Sequence, residues 1–324
     1  PIIKQSVNLE LTNHELPKFF YDSTPCPYRQ KGGSVEAEKL LQSFLNKRGE
    51  NYQFEMSSPI TAEKSCSRLS THLTYGTISH RAVFQEATKK RDLIKHTNKN
   101  FAKSINSFLS RLHWRSHFIQ KLEDQPSIEH TSFIPVYDQI REKDEEKLEA
   151  WIEGKTGVHF IDACMIYLRN YGWINFRMRA MLASFASYNL WLDWRYFAPR
   201  LAALFTDFEP GIHYSQIQMQ SGTTGINTIR MYNPYKQAMD QDPLAKFIKS
   251  QIPEVKNFPP AFFHNPPKKS LNVNLFDNEF QKEIIDVKET AQYARKKIFD
   301  IRKSQEHKIL AKNVYLKHGS RGRS

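Results

Sequence analysis

The stretch GWINFRMRAMLASFASYNLWLDWR, residues 172–195, decides the fold of this chain. Its apolar residues recur at the spacing of an α-helix, whereas few segments of the chain alternate with the period of a strand. Gly172 is expected to interrupt the helical run and Pro199 to end it. We therefore predict an all-α protein with two or three buried helices in this region.

Two arginines, Arg177 and Arg179, lie inside this apolar run. An unpaired buried charge is unfavourable, so both side chains require acidic or phosphate partners. Two internal salt bridges would meet that need, and so would a bound anion. The residues alone leave both possibilities open.

The composition narrows the class of protein. The chain has 324 residues, 40% of them apolar, which is enough for a sizeable core. Its net charge of +13 favours a polyanionic partner such as DNA, because lysines and arginines that neutralise phosphates release counterions. The alternative is a charge that only keeps the protein in solution. No apolar stretch is long enough to span a bilayer, and we expect a monomer without membrane contact.

The three cysteines, Cys26, Cys66 and Cys164, show no CxxC spacing. Their odd number argues against a disulfide framework, and we expect a reducing, cytoplasmic compartment. His113 and His117 lie four residues apart, as metal ligands on a helix sometimes do. The sequence offers no convincing third ligand, so no metal site is expected.

The chain divides into three parts. Residues 1–32 contain three prolines without clear periodicity, and we expect an extended lead-in. Residues 33–303 are expected to form the helical domain. Residues 304–324 are basic, and we expect them to be a mobile tail.

Within the helical domain, the strongest helix pattern covers Phe101–Leu122. Further helices are expected at about Ser79–Arg91 and Asn278–Lys303. The region Asp207–Pro234 contains three glycines and is expected to be irregular.

Small hydroxyl residues flank an arginine in the segment SCSRLSTHLTYGTIS, residues 65–79. Serine hydroxyls, backbone N–H groups and a guanidinium together suit a pyrophosphate. The alternative is a helix cap with a surface arginine. Further along, Trp114 adjoins Arg115 in a helix with an apolar face. Such a tryptophan can stack on a base or fill the core.

In their order and spacing, these segments resemble the catalytic domain of the photolyase/cryptochrome family. The resemblance runs from about Gly32 to Ile301, and it depends on an ordered set of motifs rather than on any single one. The motifs are Ser67-Arg68-Leu69-Ser70, Leu112-x-Trp114-Arg115, Trp151-x-Glu153-Gly154-Lys155-Thr156-Gly157, Asp162-Ala163-x-Met165, Gly172-Trp173, Arg177-x-Arg179, Ala183-Ser184-Phe185, Leu192-Asp193-Trp194-Arg195, Asn233-Pro234 and Pro253-Glu254. The segments DFEPG at 207–211 and QMQSGTTGIN at 218–227 look like a bacterial branch of that family.

The resemblance implies an all-helical domain that holds one FAD in a U shape. Residues 67–70 would hold the FAD phosphates, Arg179 and Asp207 would form an ion pair beside the isoalloxazine, and His213 falls near the residue that faces flavin N5. The full implied set is Tyr52, Ser67, Arg68, Leu69, Ser70, Arg115, Arg179, Asp207, Phe208, Glu209 and His213.

In the repair enzymes of the family, a flipped pyrimidine dimer lies between two tryptophans and bonds to a glutamate. Trp114 matches the first tryptophan and Arg177 the arginine that contacts DNA phosphate. Arg111 replaces the glutamate, and a guanidinium cannot accept a hydrogen bond from thymine. The implied DNA contacts are Arg111, Trp114 and Arg177, and the further departures are Phe176, Ala180 and Ile217.

The residues that feed electrons to the flavin in the family are also altered. Trp194 matches the middle tryptophan, the proximal position falls near Tyr214 or Ser215, and the distal one near Arg141. Photoreduction is therefore expected either to use the remaining aromatic side chains or to be poor. The residues considered for this path are Trp194, Trp191, Tyr214 and Tyr188.

The resemblance implies deoxyribodipyrimidine photo-lyase activity: blue light drives an electron from reduced FAD to a pyrimidine dimer in damaged duplex or single-stranded DNA. The changes at Arg111, Phe176 and Ala180 favour the alternative, a cryptochrome-like blue-light sensor that binds FAD, with or without DNA, and does not repair efficiently. A third hypothesis is a basic helical nucleic-acid-binding protein without a cofactor. The resemblance does not include the family's N-terminal antenna domain, so no antenna cofactor is expected.

Overall fold

A computed structural model describes residues 25–266 and 282–319. Within these ranges the backbone is helical, and pairing of extended segments is limited to one isolated parallel bridge between Glu142 and Leu192. The all-α prediction is confirmed. The α-helices are α1 Ser34–Ser43, α2 Tyr52–Glu55, α3 Pro59–Ser65, α4 Ser70–Thr74, α5 His80–Ile94, α6 Lys99–Asp124, α7 Glu145–Glu153, α8 His159–Tyr171, α9 Phe176–Ser184, α10 Trp194–Ala203, α11 Pro210–Ser221, α12 Pro234–Gln241, α13 Lys246–Gln251, α14 Pro260–His264, α15 Val287–Lys303 and α16 Gln305–His318.

Two helices continue into a π-helical turn. Phe44–Arg48 extends α1, and Phe185–Asn189 extends α9. Such turns occur often at functional sites, and side chains from both take part in the features described below. Short 3₁₀ turns lie at Pro126–Glu129, Pro135–Gln139 and Pro253–Val255.

The longest helix, α6, forms where its pattern predicted. The Asn98 side chain caps it by accepting a hydrogen bond from the Phe101 N–H at 3.0 Å. Phe101, Ile105, Phe108 and Leu112 form its buried stripe, which packs between α5 and α11. This packing places the segment after Leu112 against α11, where Gly211 lies beside Phe118 and Ile119.

The main core is built around residues 172–195, as predicted. Gly172 ends α8 with a left-handed φ of 64°, and a Cβ there would lie 2.3 Å from Thr206 Cγ2, so the close approach requires glycine. Pro199 does not end a helix, contrary to the prediction, but lies inside α10. Packing of the buried Trp194 and Phe197 outweighs the hydrogen bond that the proline removes.

The expectation of an irregular region at Asp207–Pro234 is wrong for its first half, which forms α11. Pro210 begins this helix, and Gly222 ends it with a left-handed φ of 73°. The proline and glycine signals therefore marked the ends of a helix rather than a loop.

The C-terminal part also differs from expectation. Residues 305–318, expected to be a mobile tail, form α16, and its His307 ring accepts or donates a hydrogen bond with the Tyr137 hydroxyl at 2.8 Å. The preceding helix α15 begins at Val287, capped by Asp286, later than predicted. Residues 1–24 of the lead-in, residues 278–281 of the predicted helix and residues 320–324 of the tail lie outside the described residues. In the described part of the chain, no helix has the length and apolarity needed to cross a bilayer.

Candidate functional site

The turn at residues 67–70, between α3 and α4, has an unusual backbone. Arg68 has a φ of +61°, a left-handed value that is uncommon for a residue with a side chain. The Gln30 amide donates to the Arg68 carbonyl at 2.9 Å, Arg48 donates to the Ser67 carbonyl at 3.2 Å, and the Ser67 hydroxyl accepts from the Leu69 N–H at 3.4 Å. These bonds hold the turn in a conformation that would otherwise be costly.

The Arg68 side chain is buried and stacked. Its Cζ lies 3.8 Å from the centroid of the Trp173 ring, and Nη1 has no hydrogen-bond partner among the described residues. Burial lowers the pKa of Arg68, but an arginine keeps its charge in proteins. The charges of Glu63 and Asp207 act to raise that pKa, and the unused Nη1 donor is still open to an acceptor such as an anion. The geometry at Arg68 therefore fits a phosphate.

Asp207 and Arg179 form a bidentate ion pair, with Nη1–Oδ1 and Nη2–Oδ2 distances of 3.0 and 2.8 Å. The Arg179 Nε also donates to the Ile174 carbonyl at 2.7 Å. Burial alone would raise the pKa of Asp207, but the charge of Arg179 and hydrogen bonds from Arg179 and Ser70 hold it below its usual value. The Ser70 bond joins the turn at 67–70 to the ion pair, so these predicted FAD contacts lie together.

A second and weaker ion pair lies nearby. Arg115 Nη2 is 3.4 Å from Glu209 Oε2, and it also donates to the Leu73 carbonyl at 3.3 Å. Both side chains are partly exposed. The pair connects α6 to the segment that leads into α11, next to the turn at 67–70.

Tyr52 is buried at the start of α2, between the rings of Phe44 and Phe108. Burial raises the pKa of its hydroxyl to about 12, although the charge of Arg111 and a hydrogen bond with it act in the opposite direction. The exposed Arg111, predicted to contact DNA, therefore reaches a residue predicted to contact FAD.

His213 lies in the first half of α11 and is buried against the rings of Phe208 and Tyr214, at centroid distances of 5.3 and 5.2 Å. Burial lowers its pKa to about 4, so the imidazole is neutral near pH 7. Its Nε2 lies 2.9 Å from the Ala198 carbonyl and must donate, which leaves Nδ1 as an acceptor.

The proposed electron carriers fall into two groups. Trp194 is buried, donates from Nε1 to the Ser132 hydroxyl at 2.9 Å, and has its ring 6.3 Å from that of Tyr214. Tyr214 in turn lies 6.3 Å from Phe208. The structure therefore brings Trp194 and Tyr214 together beside the His213 region.

Trp191 belongs to a separate cluster under the C-terminal helices. Its Nε1 donates to the Ile140 carbonyl at 2.9 Å, and its ring lies 5.3 Å from that of Tyr293, which is half exposed. Tyr188 packs in the same cluster. The structure thus separates Trp191 and Tyr188 from the core cluster of Trp194 and Tyr214.

The residues predicted to contact DNA are all accessible. Trp114 is 45% exposed and stacks on Phe118 at 5.6 Å. Phe176, one of the departures from the repair enzymes, is 54% exposed. Arg177 is half buried, with Nη1 3.5 Å from the Gln237 side chain. Arg111 is exposed. Large exposed aromatic rings beside cations are typical of a binding surface rather than of a core.

Metal ligands are not grouped in the described part of the chain. Among residues 25–266 and 282–319, no three histidine, cysteine or acidic side chains lie close enough together to hold a metal ion. His113 instead packs against Phe84, and His117 against Trp114.

A family model described as the FAD binding domain of DNA photolyase matches residues 108–300, which is more than half of the chain. The chain belongs to the photolyase/cryptochrome family. The photolyase-family match includes Arg115, Arg179, Asp207 and His213, whereas the turn at 67–70 precedes it.

Photolyases are also among the similar proteins. The deoxyribodipyrimidine photo-lyase of Streptomyces griseus is 30% identical over 243 residues, covering 75% of this chain and 50% of that protein. The crystal structure of the archaeal photolyase from Sulfolobus tokodaii with two FAD molecules is 30% identical, with a TM-score of 0.67, and covers 84% of this chain and 57% of that one. The chain spans about half the length of the curated relatives it matches.

The cryptochrome of Synechocystis sp. PCC6803 has the same fold. Its crystal structure gives a TM-score of 0.74 at 22% identity and covers 82% of this chain and 56% of that chain. The fold of this photolyase-family chain is therefore common to proteins named photolyase and proteins named cryptochrome.

Sequence reasoning missed two residues of this photolyase-family site. Arg48, which holds the turn at 67–70 by bonding to its backbone, lies 19 residues upstream of Ser67 in an ordinary helical pattern. Trp173, on whose ring Arg68 stacks, carries no sequence signal beyond the Gly172-Trp173 motif. Neither has a local signal, because both roles arise from contacts between distant segments.

Proposed function

We propose that this photolyase-family chain holds FAD between the turn at 67–70 and the Arg179–Asp207 pair, and that it acts on pyrimidine dimers in DNA under blue light. The observation that carries the proposal is the buried Arg68, whose Nη1 has no partner among the described residues. FAD, when bound and reduced, would supply the electron that splits the dimer under blue light, and the residues named above would hold it.

The charges around the turn fit the diphosphate of FAD. Arg68, Arg48 and Arg179 all lie close enough to lower the pKa of the Cys66 thiol by their charge, although burial raises that pKa to about 12 overall. Asp207 pairs with Arg179, and Arg48 is engaged with backbone carbonyls. A dianionic ligand beside Arg68 would offset the remaining positive charge.

The other site residues have roles that follow from their contacts. Asp207 fixes the guanidinium of Arg179 in one orientation through two hydrogen bonds. His213 stays neutral and presents Nδ1 as an acceptor on the side away from the Ala198 carbonyl. Trp194 and Tyr214 offer a path for electrons from the core towards this region.

For DNA, the half-exposed Trp114 offers a face on which an unstacked base can lie. Arg111 lies three residues before it on α6, Arg177 is a further cation at the start of α9, and the net charge of +13 supports contact with phosphates. These features suit a lesion that has left the duplex stack.

A specific observation favours the second candidate, a blue-light sensor. Arg111 stands where the repair enzymes are expected to carry a glutamate, and its guanidinium interacts with the Tyr52 hydroxyl. A guanidinium cannot accept the thymine N–H hydrogen bond, so recognition of the dimer would depend on stacking and phosphate contacts.

Repair of a dimer-bearing oligonucleotide under blue light, measured with the reduced FAD-loaded chain, separates the two candidates. Loss of the lesion with turnover supports repair, and the same reaction with Trp114→Ala should be much slower. If FAD is bound and photoreduced but the lesion persists, the proposal of repair is wrong and sensing is favoured. The dark reaction is the control.

A further inference from the structure

Arg141 is a buried cation with an incomplete set of partners. Its Nε donates to the Ser187 carbonyl at 2.9 Å and its Nη2 to the Ser221 carbonyl at 2.8 Å, while Nη1 has no partner in the described part of the chain. Its Cζ lies 4.9 Å from the Trp191 ring and 5.6 Å from the Tyr188 ring. Aromatic faces attract a cation but do not neutralise it.

No carboxylate described in the structure forms an ion pair with Arg141. Asp193 is the acidic group close enough to affect its pKa, and that carboxylate already pairs with Arg195. Burial lowers the pKa of Arg141, yet an arginine stays protonated. The charge therefore remains uncompensated in a buried position, which is strongly unfavourable without a counterion.

Three buried hydroxyls beside Arg141 also lack partners among the described residues. They are the hydroxyls of Ser187, Tyr188 and Ser221. Ser187 and Ser221 are also the residues whose carbonyls accept hydrogen bonds from the guanidinium, so both residues lie against Arg141. The Tyr188 hydroxyl faces Gly222, where a Cβ would approach it to 2.5 Å. Buried polar groups without partners are rare, and three such hydroxyls beside a guanidinium whose Nη1 is also unpartnered indicate a ligand.

We propose that Arg141, Ser187, Tyr188 and Ser221 form a buried binding site for a monovalent inorganic anion of the halide class, such as chloride. The Nη1 amino group of the guanidinium and the three hydroxyls can all donate hydrogen bonds, and a halide accepts several donors at once. Water could bond to the same groups but would leave the positive charge uncompensated. A single negative charge matches the single guanidinium, whereas phosphate would bring excess negative charge into a buried volume.

The local backbone supports the assignment. Two of the four residues come from the π-helical turn Phe185–Asn189, a type of turn that often marks functional sites. Trp191, which follows this turn, has a φ of +58°, and this strain persists where surrounding contacts fix it. The site lies on the side of the molecule covered by α15 and α16, in the cluster that contains Tyr188 and Ile298.

The direct test is a crystal of the FAD-loaded chain grown or soaked in bromide, with anomalous diffraction recorded at the bromine edge. A bromide peak within hydrogen-bonding distance of Arg141 Nη1 and the hydroxyls of Ser187 and Ser221 is expected. Density at that position for water alone, or anomalous peaks confined to surface lysines and arginines, would overturn the proposal.

A solution test uses thermal unfolding in sodium chloride and in sodium gluconate at equal ionic strength. Chloride should raise the Tm of the unaltered chain by about 2–4 °C relative to gluconate, because it binds only the folded state. Arg141→Met should abolish the difference in Tm between the two salts. Ser221→Ala should weaken that difference, and it serves as the test if Arg141→Met does not fold. Arg200→Met, which removes an exposed cation, is the control and should keep the full response. The site would be refuted if Arg141→Met, or Ser221→Ala, responded to chloride as strongly as the unaltered chain does.

Discussion

The Arg179–Asp207 pair allows a quantitative test of how the candidate flavin site is held. The perturbation is a double-mutant cycle with Asp207→Asn, Arg179→Met and the combined variant. Asp207 accepts two hydrogen bonds from Arg179, at 3.0 and 2.8 Å, and its side chain is only 3% exposed. Each substitution removes the pairing of charges while nearly keeping the volume.

The expected magnitude follows from burial. Breaking a buried pair costs about 3–5 kcal/mol, because one charge is left without a partner. The Arg179 side chain is 26% exposed, so water can partly solvate it when Asp207 is neutralised. We therefore expect Asp207→Asn to cost about 2–3 kcal/mol and the coupling energy between the two positions to be about 2 kcal/mol.

The assay is urea unfolding of the flavin-free chain, so that cofactor affinity does not enter the free energy of unfolding. The control cycle uses Arg200 and Glu149, whose 2.6 Å pair has side chains 43% and 41% exposed. An exposed pair of this kind is worth about 0.2–1 kcal/mol. A coupling energy for Arg179 and Asp207 no larger than that of the control would refute the reasoning.

The same pair has a defined pH dependence. The folded-state pKa of Asp207 lies below its usual value, so its stabilising contribution is complete above the unfolded pKa of about 4 and is lost as pH falls through the folded value. The difference in stability between the unaltered chain and Asp207→Asn should therefore shrink in acid. A difference that stays constant from neutral pH to strong acid would contradict this assignment.

Three further predictions concern electrons, DNA and protons. Trp194→Phe should slow flavin photoreduction roughly tenfold, which corresponds to about 1.4 kcal/mol on the barrier. Trp191→Phe should change the rate little, because Trp191 lies in a separate cluster. Equal photoreduction rates under blue light in the unaltered chain and both variants would remove Trp194 from the path. Trp114→Ala should weaken binding of dimer-bearing DNA by about 1–3 kcal/mol without changing its salt dependence. Arg177→Met should reduce the slope of log K against log salt concentration by about one. Gel shifts at several salt concentrations measure both effects. His213 has a pKa near 4 when folded and about 6.5 when unfolded, so unfolding takes up a proton and stability should fall by at most roughly 3 kcal/mol between pH 6.5 and 4. His213→Asn should flatten that part of the stability curve, and an unchanged pH profile would contradict the assignment.

Residues 172–195 show why the fold could be predicted from the sequence. Their apolar spacing requires burial on more than one face, and only a helical core satisfies it. Arg179 also predicted an acidic or phosphate partner, because a charge inside an apolar run is unfavourable without one. The structure supplies Asp207, 28 residues further along the chain.

Other features could not be predicted because local signals are ambiguous. Pro210 and Gly222 begin and end α11, but the same residue types also mark loops. The basic composition of α16 suggested a mobile tail, whereas His307 and His318 are buried and hydrogen-bonded. Arg48 reaches the turn at 67–70 only after folding brings the two segments together.

The central claim is that FAD is held by the turn at 67–70 and by the Arg179–Asp207 pair. Titration of the flavin-free chain with FAD, with FMN as the comparison, tests it most directly. We predict saturable binding of one FAD, much weaker binding of FMN, and loss of FAD affinity in Arg68→Met with retained folding. Failure of the chain to bind FAD, or equal affinity of the unaltered and Arg68→Met proteins for FAD, would contradict the account.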